Sequence, residues 1–226
     1  YFGLAESYQI RYLAAAIKQF KESCPGLHYH ITSGDTEQVT EKLDKGIIDF
    51  AVLAQEPNPS KYHSLAFPNA DLWGLVMPED CPLAEKDAIY ADDLAGLPLF
   101  CSEQGWNNDI SKWCGSRMNQ LHLEGSFRLS YNGSLFVKEG LGYLLTFEHL
   151  IDTNPGSGLV FRPLAPKLET KIYLIWKKYQ VFTPIAERLL RLLESEFSSI
   201  YTAHQLNLQC NLTADRQPGT FPEASM

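Results

Sequence analysis

The segment Ile47 to Leu53 (Ile-Ile-Asp-Phe-Ala-Val-Leu) sets the tightest limit on what this chain can fold into. An apolar run this short and this continuous belongs to a strand covered on both faces, as in a parallel sheet. Upstream of it the pattern alternates. Tyr1 to Ala5 reads as a short strand, and Ile10, Leu13, Ile17 and Phe20 then recur at the spacing of one helix face, with Ser7 placed as an N-cap. Pro25-Gly26 stops that helix, and Leu27, Tyr29 and Ile31 alternate with His28, His30 and Thr32 as a half-buried strand does. Asp35 with Gln38 has the form of a capping box, opening a helix through Val39 and Leu43 that stops at Gly46.

The first 53 residues therefore read β-α-β-α-β, which predicts an α/β sheet with right-handed crossovers and ligands gathered at the carboxyl ends of its strands. Two further short strands are predicted at His63 to Phe67 and Leu72 to Met77. The Pro-flanked passage Pro78 to Pro82 then marks a crossing into a second lobe. There the alternation resumes with strand Leu97 to Ser102, helix Asp109 to Leu121, strand Gly125 to Leu129 and a short helix from about Ser134 to Glu139. Strands Leu141 to Phe147, Gly158 to Arg162 and Ile172 to Trp176 follow, and a helix from Pro184 to Phe197 closes the series.

This pattern predicts two Rossmann-like lobes around a central cleft: lobe I from residues 1–77 and 178–200, lobe II from 78–177. Residues 201–226, with few periodic apolar positions and a Pro/Gly-containing end, read as a poorly ordered tail.

Composition removes several function classes. Nineteen basic against 27 acidic residues give a net charge of −8, the wrong sign for gripping a phosphate backbone. Nothing in the sequence reaches the ~18 uninterrupted apolar residues of a membrane span, so no membrane partner is expected. Cys24, Cys81, Cys101, Cys114 and Cys210 are scattered and contain no C-x-x-C pair, which fits a reducing cytoplasm and argues against a zinc site or disulfide framework. His28, His30 and His63 lack a Cys or carboxylate partner at a recognised spacing and are read as solvent-facing strand residues, so no metal is expected.

An enzyme would need Ser7 as nucleophile with His28 or His63 as base, but no G-x-S-x-G elbow accompanies them. Neither a catalytic residue nor a cofactor is expected.

Several local patterns, in order, resemble the effector-binding domain of LysR-type transcriptional regulators. They are Phe20-Lys-Glu-Ser-Cys-Pro25-Gly-Leu, Leu43-Asp-Lys-Gly46-Ile-Ile-Asp49-Phe-Ala-Val52, Leu75-Val-Met-Pro78 and Cys81-Pro82-Leu83-Ala84. Asp92-Asp-Leu94 with Leu97-Pro-Leu99, Val137-Lys-Glu-Gly140-Leu-Gly142-Tyr143, and Leu159-Val with Pro163-Leu164 follow. The resemblance covers residues 1–197 and implies a type 2 periplasmic-binding-protein-like fold that senses a small-molecule effector between its lobes and alters transcription by the full-length protein.

It further implies a homodimer or tetramer, with the helix Ile10 to Phe20 at the contact. DNA would enter only through an N-terminal winged helix-turn-helix that has no counterpart in these residues. The alternative of the same fold is a periplasmic solute-binding protein.

In such an architecture the effector meets strand ends and helix N-termini. The candidates are Glu6, Ser7 and Tyr8; Ser33 and Gly34, beside Asp35; Ser102, Asn132 and Ser134; and Thr146. Plainer roles stand beside these: Ser7 as a helix cap, Tyr8 as a surface aromatic, Asp35 as the cap of its own helix, and the Ser and Asn residues serving their own turns. Glu6 stands where the family often has a small or hydroxyl residue, and suits an amine better than a simple anion.

Overall fold

The computed structural model describes residues 1–214. Parallel strands β1 (Phe2–Leu4), β2 (Ile31–Ser33) and β3 (Phe50–Leu53) lie in the order β2-β1-β3, linked by helices α1 (Ile10–Ser23) and α2 (Thr36–Asp44). β3 is buried at every position, as its apolar run requires, whereas Ile47 at the start of the predicted strand is exposed. α1 buries Leu13, Ala16, Ile17 and Phe20, each large side chain contributing about 1.5–3 kcal/mol of transfer free energy. The capping box of α2 is complete: Asp35 Oδ1 accepts from the Gln38 N–H at 2.9 Å while the Gln38 side chain receives the Asp35 N–H.

Strand β2 is shorter and later than the alternation predicts, because only Ile31–Ser33 pair with β1. Residues 27–30 form no ladder. His30 instead stacks on Tyr1 at 4.8 Å, and His63 lies against Trp176 at 5.8 Å.

The two strands predicted at 63–67 and 72–77 are a single strand, β4 (Tyr62–Pro78). Pro68, which has no N–H to donate, falls inside an irregularity between Ala66 and Ala70, and pairing resumes beyond it. The first part of β4 pairs antiparallel with β9 (Glu169–Lys177) through Leu72, and from Trp73 onward the strand pairs with β7 (Tyr143–Phe147) and β8 (Leu159–Pro163). The change of strand partners therefore lies inside β4, at Leu72–Trp73, ahead of Pro78–Pro82. β9, expected within residues 78–177 of the second lobe, pairs with β3 and β4 beside the first.

The second half-sheet is completed by β5 (Pro98–Cys101) and β6 (His122–Ser126), both parallel. Short 3₁₀ turns at Pro82–Glu85 and Ala91–Leu94 precede it. The helix expected at 109–121 starts earlier and is irregular: α3 (Glu103–Gly105), a π segment Trp106–Ile110, α4 (Ser111–Cys114) and a 3₁₀ stretch Gly115–Gln120. α5 (Ser130–Lys138) starts four residues before its predicted position. The Asn132-Gly133 pair looks like a turn but is helical, and a Cβ on Gly133 would meet Phe127 at 2.9 Å and Leu144 at 3.0 Å, so glycine serves close packing there.

α6 (Pro184–Ala214) buries Leu189, Leu190, Leu193 and Phe197 and continues past the predicted end at Phe197. Of the predicted tail 201–226, residues through Ala214 extend this helix, and 215–226 lie outside the described residues. Among the described residues no helix is long and apolar enough to cross a membrane.

Candidate functional site

A cavity of about 640 Å³ opens between the two half-sheets, a volume usual for small-molecule sites. One wall comes from the carboxyl ends of β1 (Ala5, Glu6) and β3 (Ala54, Gln55) and from the start of α2 (Gly34, Asp35, Thr36, Glu37). The opposite wall is Ser102 through Gly105, Asn107 to Asp109, Ser126 to Arg128, Ser130, and Leu145 to Phe147. Trp73, at the change of strand partners in β4, lines it as well.

Three polar contacts span the walls. Glu6 Oε2 accepts the Ser130 N–H at 2.6 Å, which satisfies one of the amides at the start of α5 that the helix itself leaves unpaired. Arg128 Nη1 lies 3.2 Å from Asp35 Oδ2, and Gln104 Nε2 donates to the Ala54 carbonyl at 3.2 Å. Behind the first of these, the Ser130 and Thr146 hydroxyls share a buried hydrogen bond of 2.7 Å.

A relay fixes Asp109. The Trp73 indole N–H donates to Thr170 Oγ1 at 2.8 Å, so the single hydroxyl proton of Thr170 goes to Asp109 Oδ1 at 2.7 Å. Burial pushes the Asp109 carboxyl above its ordinary value, an effect partly offset by the Thr170 bond and by Lys112.

Of the residues named from sequence, Glu6, Gly34, Ser102 and Thr146 line this cavity. The other five do not. Ser7 is buried behind it and its hydroxyl accepts the Gln9 N–H at 3.0 Å, steadying the turn into α1. Tyr8 packs on His149 with ring centroids 4.5 Å apart and takes Arg11 over its face at 4.7 Å. Ser33 is exposed at the end of edge strand β2.

Asn132 and Ser134 fall inside α5, not at its start. Asn132 is exposed, and Ser134 is buried with its hydroxyl donating to the Tyr131 carbonyl at 2.7 Å. Ser102 caps α3, its Oγ accepting the Gly105 N–H at 3.2 Å, and any Cβ on Gly105 would collide with Trp73. The sequence reading did not name Trp73, Asp109, Arg128 or Ser130 as site residues. Ser130 carried a signal, since a Ser opening a helix whose far end is Glu139-Gly140 could have been read as a start.

Among the described residues the buried Ser7 hydroxyl is bonded to the Gln9 N–H and to neither His28, exposed ahead of β2, nor His63, set against Trp176, so the pairing a serine nucleophile would need is not formed. Among the described residues there is no group of His, Cys, Asp or Glu that could hold a metal ion.

A family model described as "LysR substrate binding domain" matches residues 2–198. The chain belongs to the LysR substrate-binding domain family. HTH-type transcriptional regulator YvbU of Bacillus subtilis is 24% identical over 177 residues, which make up 76% of this chain and 58% of that protein. The chain thus spans less than two thirds of that relative's length. Among solved structures, the effector-binding domain of QuiR in complex with shikimate superposes with a TM-score of 0.75 at 17% identity, covering 88% of this chain and 96% of that one. HinK, a LysR family transcriptional regulator from Pseudomonas aeruginosa, gives 0.70 at 18% identity over 87% and 69%.

These superpositions show the fold, the type 2 periplasmic-binding-protein-like arrangement of LysR effector-binding domains. As a LysR substrate-binding domain the chain is an effector-binding regulatory module of a non-enzymatic family, which decides against the solute-receptor alternative.

Proposed function

We propose that this domain senses a small-molecule effector in the interlobe cavity and passes the bound state to a DNA-binding domain elsewhere in a full-length cytoplasmic transcription factor. The observation that carries the reading is the cavity itself, walled by both half-sheets and bridged by Glu6–Ser130 and Asp35–Arg128. A ligand there touches both walls, so it binds one relative orientation of the lobes better than others and shifts their populations. A division of the lobes at Leu72–Trp73 and Leu168–Glu169 belongs to this reading, supported by the change of strand partners at Leu72–Trp73 and by the start of β9 at Glu169. The two points are tied together where the Trp73 N–H donates to the Leu168 carbonyl at 3.0 Å.

A homodimer or tetramer is part of the same reading. Its support is a second, apolar groove of about 450 Å³ along α1 and the edge strand β2, lined by Leu13, Ile17, Tyr29 and Ile31.

The test is a thermal-shift screen followed by a cavity-narrowing variant. A true effector at 100 times its Kd raises apparent stability by about 2.7 kcal/mol. Ser126→Trp, on the cavity wall, should abolish that gain, and in the full-length protein it should abolish the reporter response to the same compound. A gain that survives Ser126→Trp would show that the effector binds elsewhere.

A further inference from the structure

We propose that the effector taken by this cavity is a small organic cation, an amine or guanidinium joined to an apolar portion, and not a carboxylate or phosphate. The inference rests on the reading of the interlobe cavity as the effector site and adds the chemical class of its ligand.

Charge is the first observation. The lining carries five carboxylates, Glu6, Asp35, Glu37, Glu103 and Asp109, against one guanidinium, that of Arg128. That guanidinium already faces Asp35 at 3.2 Å. An anion entering here would meet like charge on most sides, whereas a cation is drawn in by a field that low-dielectric walls concentrate.

The second observation is independent of the charge count. Helix N-termini are the usual seats for carboxylates and phosphates in such a cleft; of the three helical starts that open onto this cavity, that of α3 is capped by Ser102 Oγ on the Gly105 N–H at 3.2 Å, and those of α5 and α2 are filled by carboxylates of the protein itself. Glu6 Oε2 sits on the Ser130 N–H at 2.6 Å at the start of α5, and Asp35 Oδ1 sits on the Gln38 N–H at 2.9 Å at the start of α2. An anionic ligand would have to displace a tethered carboxylate to reach either one.

The third is the aromatic part of the wall. Trp73, Phe127 and Phe147 line the same cavity, and the Trp73 and Phe147 rings meet edge to face at 4.5 Å. Trp73 and Phe147 are largely buried, 3% and 8% exposed, so they act as an apolar wall that covers the ligand's carbon portion while the neighbouring carboxylates hold its charge. Asp109, held in place through the Trp73–Thr170 relay, brings a carboxylate to that aromatic side of the cavity.

Calorimetric titration of the purified chain with agmatine and tyramine as cations, and with benzoate, shikimate and inorganic phosphate as anions, tests this. At least one cation should bind, with affinity that falls as salt rises, and the anions should not. Asp109→Asn and Glu103→Gln should each weaken cation binding by about tenfold, the scale of a close charge pair. Glu37→Gln, an exposed position that does not threaten the fold, should weaken it by a smaller factor.

Anion binding that Ser126→Trp abolishes, with neither cation bound, overturns the charge assignment and leaves the cavity as the effector site. Binding of either class that Ser126→Trp leaves untouched overturns the cavity reading and this inference with it. Silence from every probe overturns the assignment to organic cations of this size.

Discussion

Asp71 is 2% exposed and carries a carboxylate beside the change of strand partners in β4. Gln9 Nε2 donates to its Oδ1 at 2.8 Å, while Asp71 Oδ2 and Gln9 Oε1, both buried, have no hydrogen-bond partner among the described residues. Burial raises the Asp71 pKa, with the Ser7 hydroxyl, the Gln9 amide, His149 and the Tyr8 N–H offsetting only part of the effect. A raised folded-state value means that the native protein binds the proton more tightly than the unfolded chain. Stability from this group is therefore present at low pH and falls as pH rises from the ordinary carboxylate value through the raised one. Asp71→Asn keeps an acceptor for Gln9 and cannot ionise, so its stability relative to wild type should improve from about pH 4, the ordinary carboxylate range, to about pH 8. Urea midpoints at the two pH values measure this, and an unchanged difference would refute the assignment.

At the scale of elements, α2 shows what local chemistry decides. Asp35→Ala removes the acceptor for the Gln38 N–H and should cost about 1 kcal/mol, whereas Asp35→Asn keeps a capping oxygen and should lose only a few tenths. Both remove the charge facing Arg128, a half-exposed pair worth at most ~1 kcal/mol, so urea denaturation of the two variants separates cap from ion pair. The capping box was legible in sequence because its partners lie three residues apart. The buried faces of α1 and β3 were legible for the same reason, periodicity being a short-range property.

What escaped the sequence depends on distant partners. β4 runs on past Pro68 because β9 and then β7 and β8 supply its ladders, and α5 begins at Ser130, where its first amide finds Glu6 from the other wall. The cavity positions at strand ends, Glu6, Gly34, Ser102 and Thr146, follow from the rule that parallel sheets gather ligands there. Asp109, Arg128 and Ser130 reach the cavity only through the approach of the second half-sheet, which no local pattern encodes.

For the whole molecule, the contacts across the cavity govern how the two half-sheets sit together. The shortest of them joins a carboxylate to a helix-terminal amide, Glu6 to Ser130 at 2.6 Å, and a hydrogen bond to a charged group contributes roughly 1.5–3 kcal/mol. The other two, Asp35–Arg128 and Gln104–Ala54, are longer and partly exposed, so Glu6 should dominate closure. Glu6→Ala leaves the Ser130 N–H facing the cavity with only water to bond, and local opening there becomes easier by the free energy lost. Hydrogen exchange reads this directly: the Ser130 amide should exchange at least about tenfold faster in Glu6→Ala, since 1.4 kcal/mol is a factor of ten. Glu6→Gln, which retains a neutral acceptor, should fall between Glu6→Ala and wild type, and amides in β3 should keep their protection in both. A Ser130 amide that exchanges at the wild-type rate in Glu6→Ala would mean that the two remaining contacts and the paired strands at Leu72–Trp73 hold the half-sheets together without it.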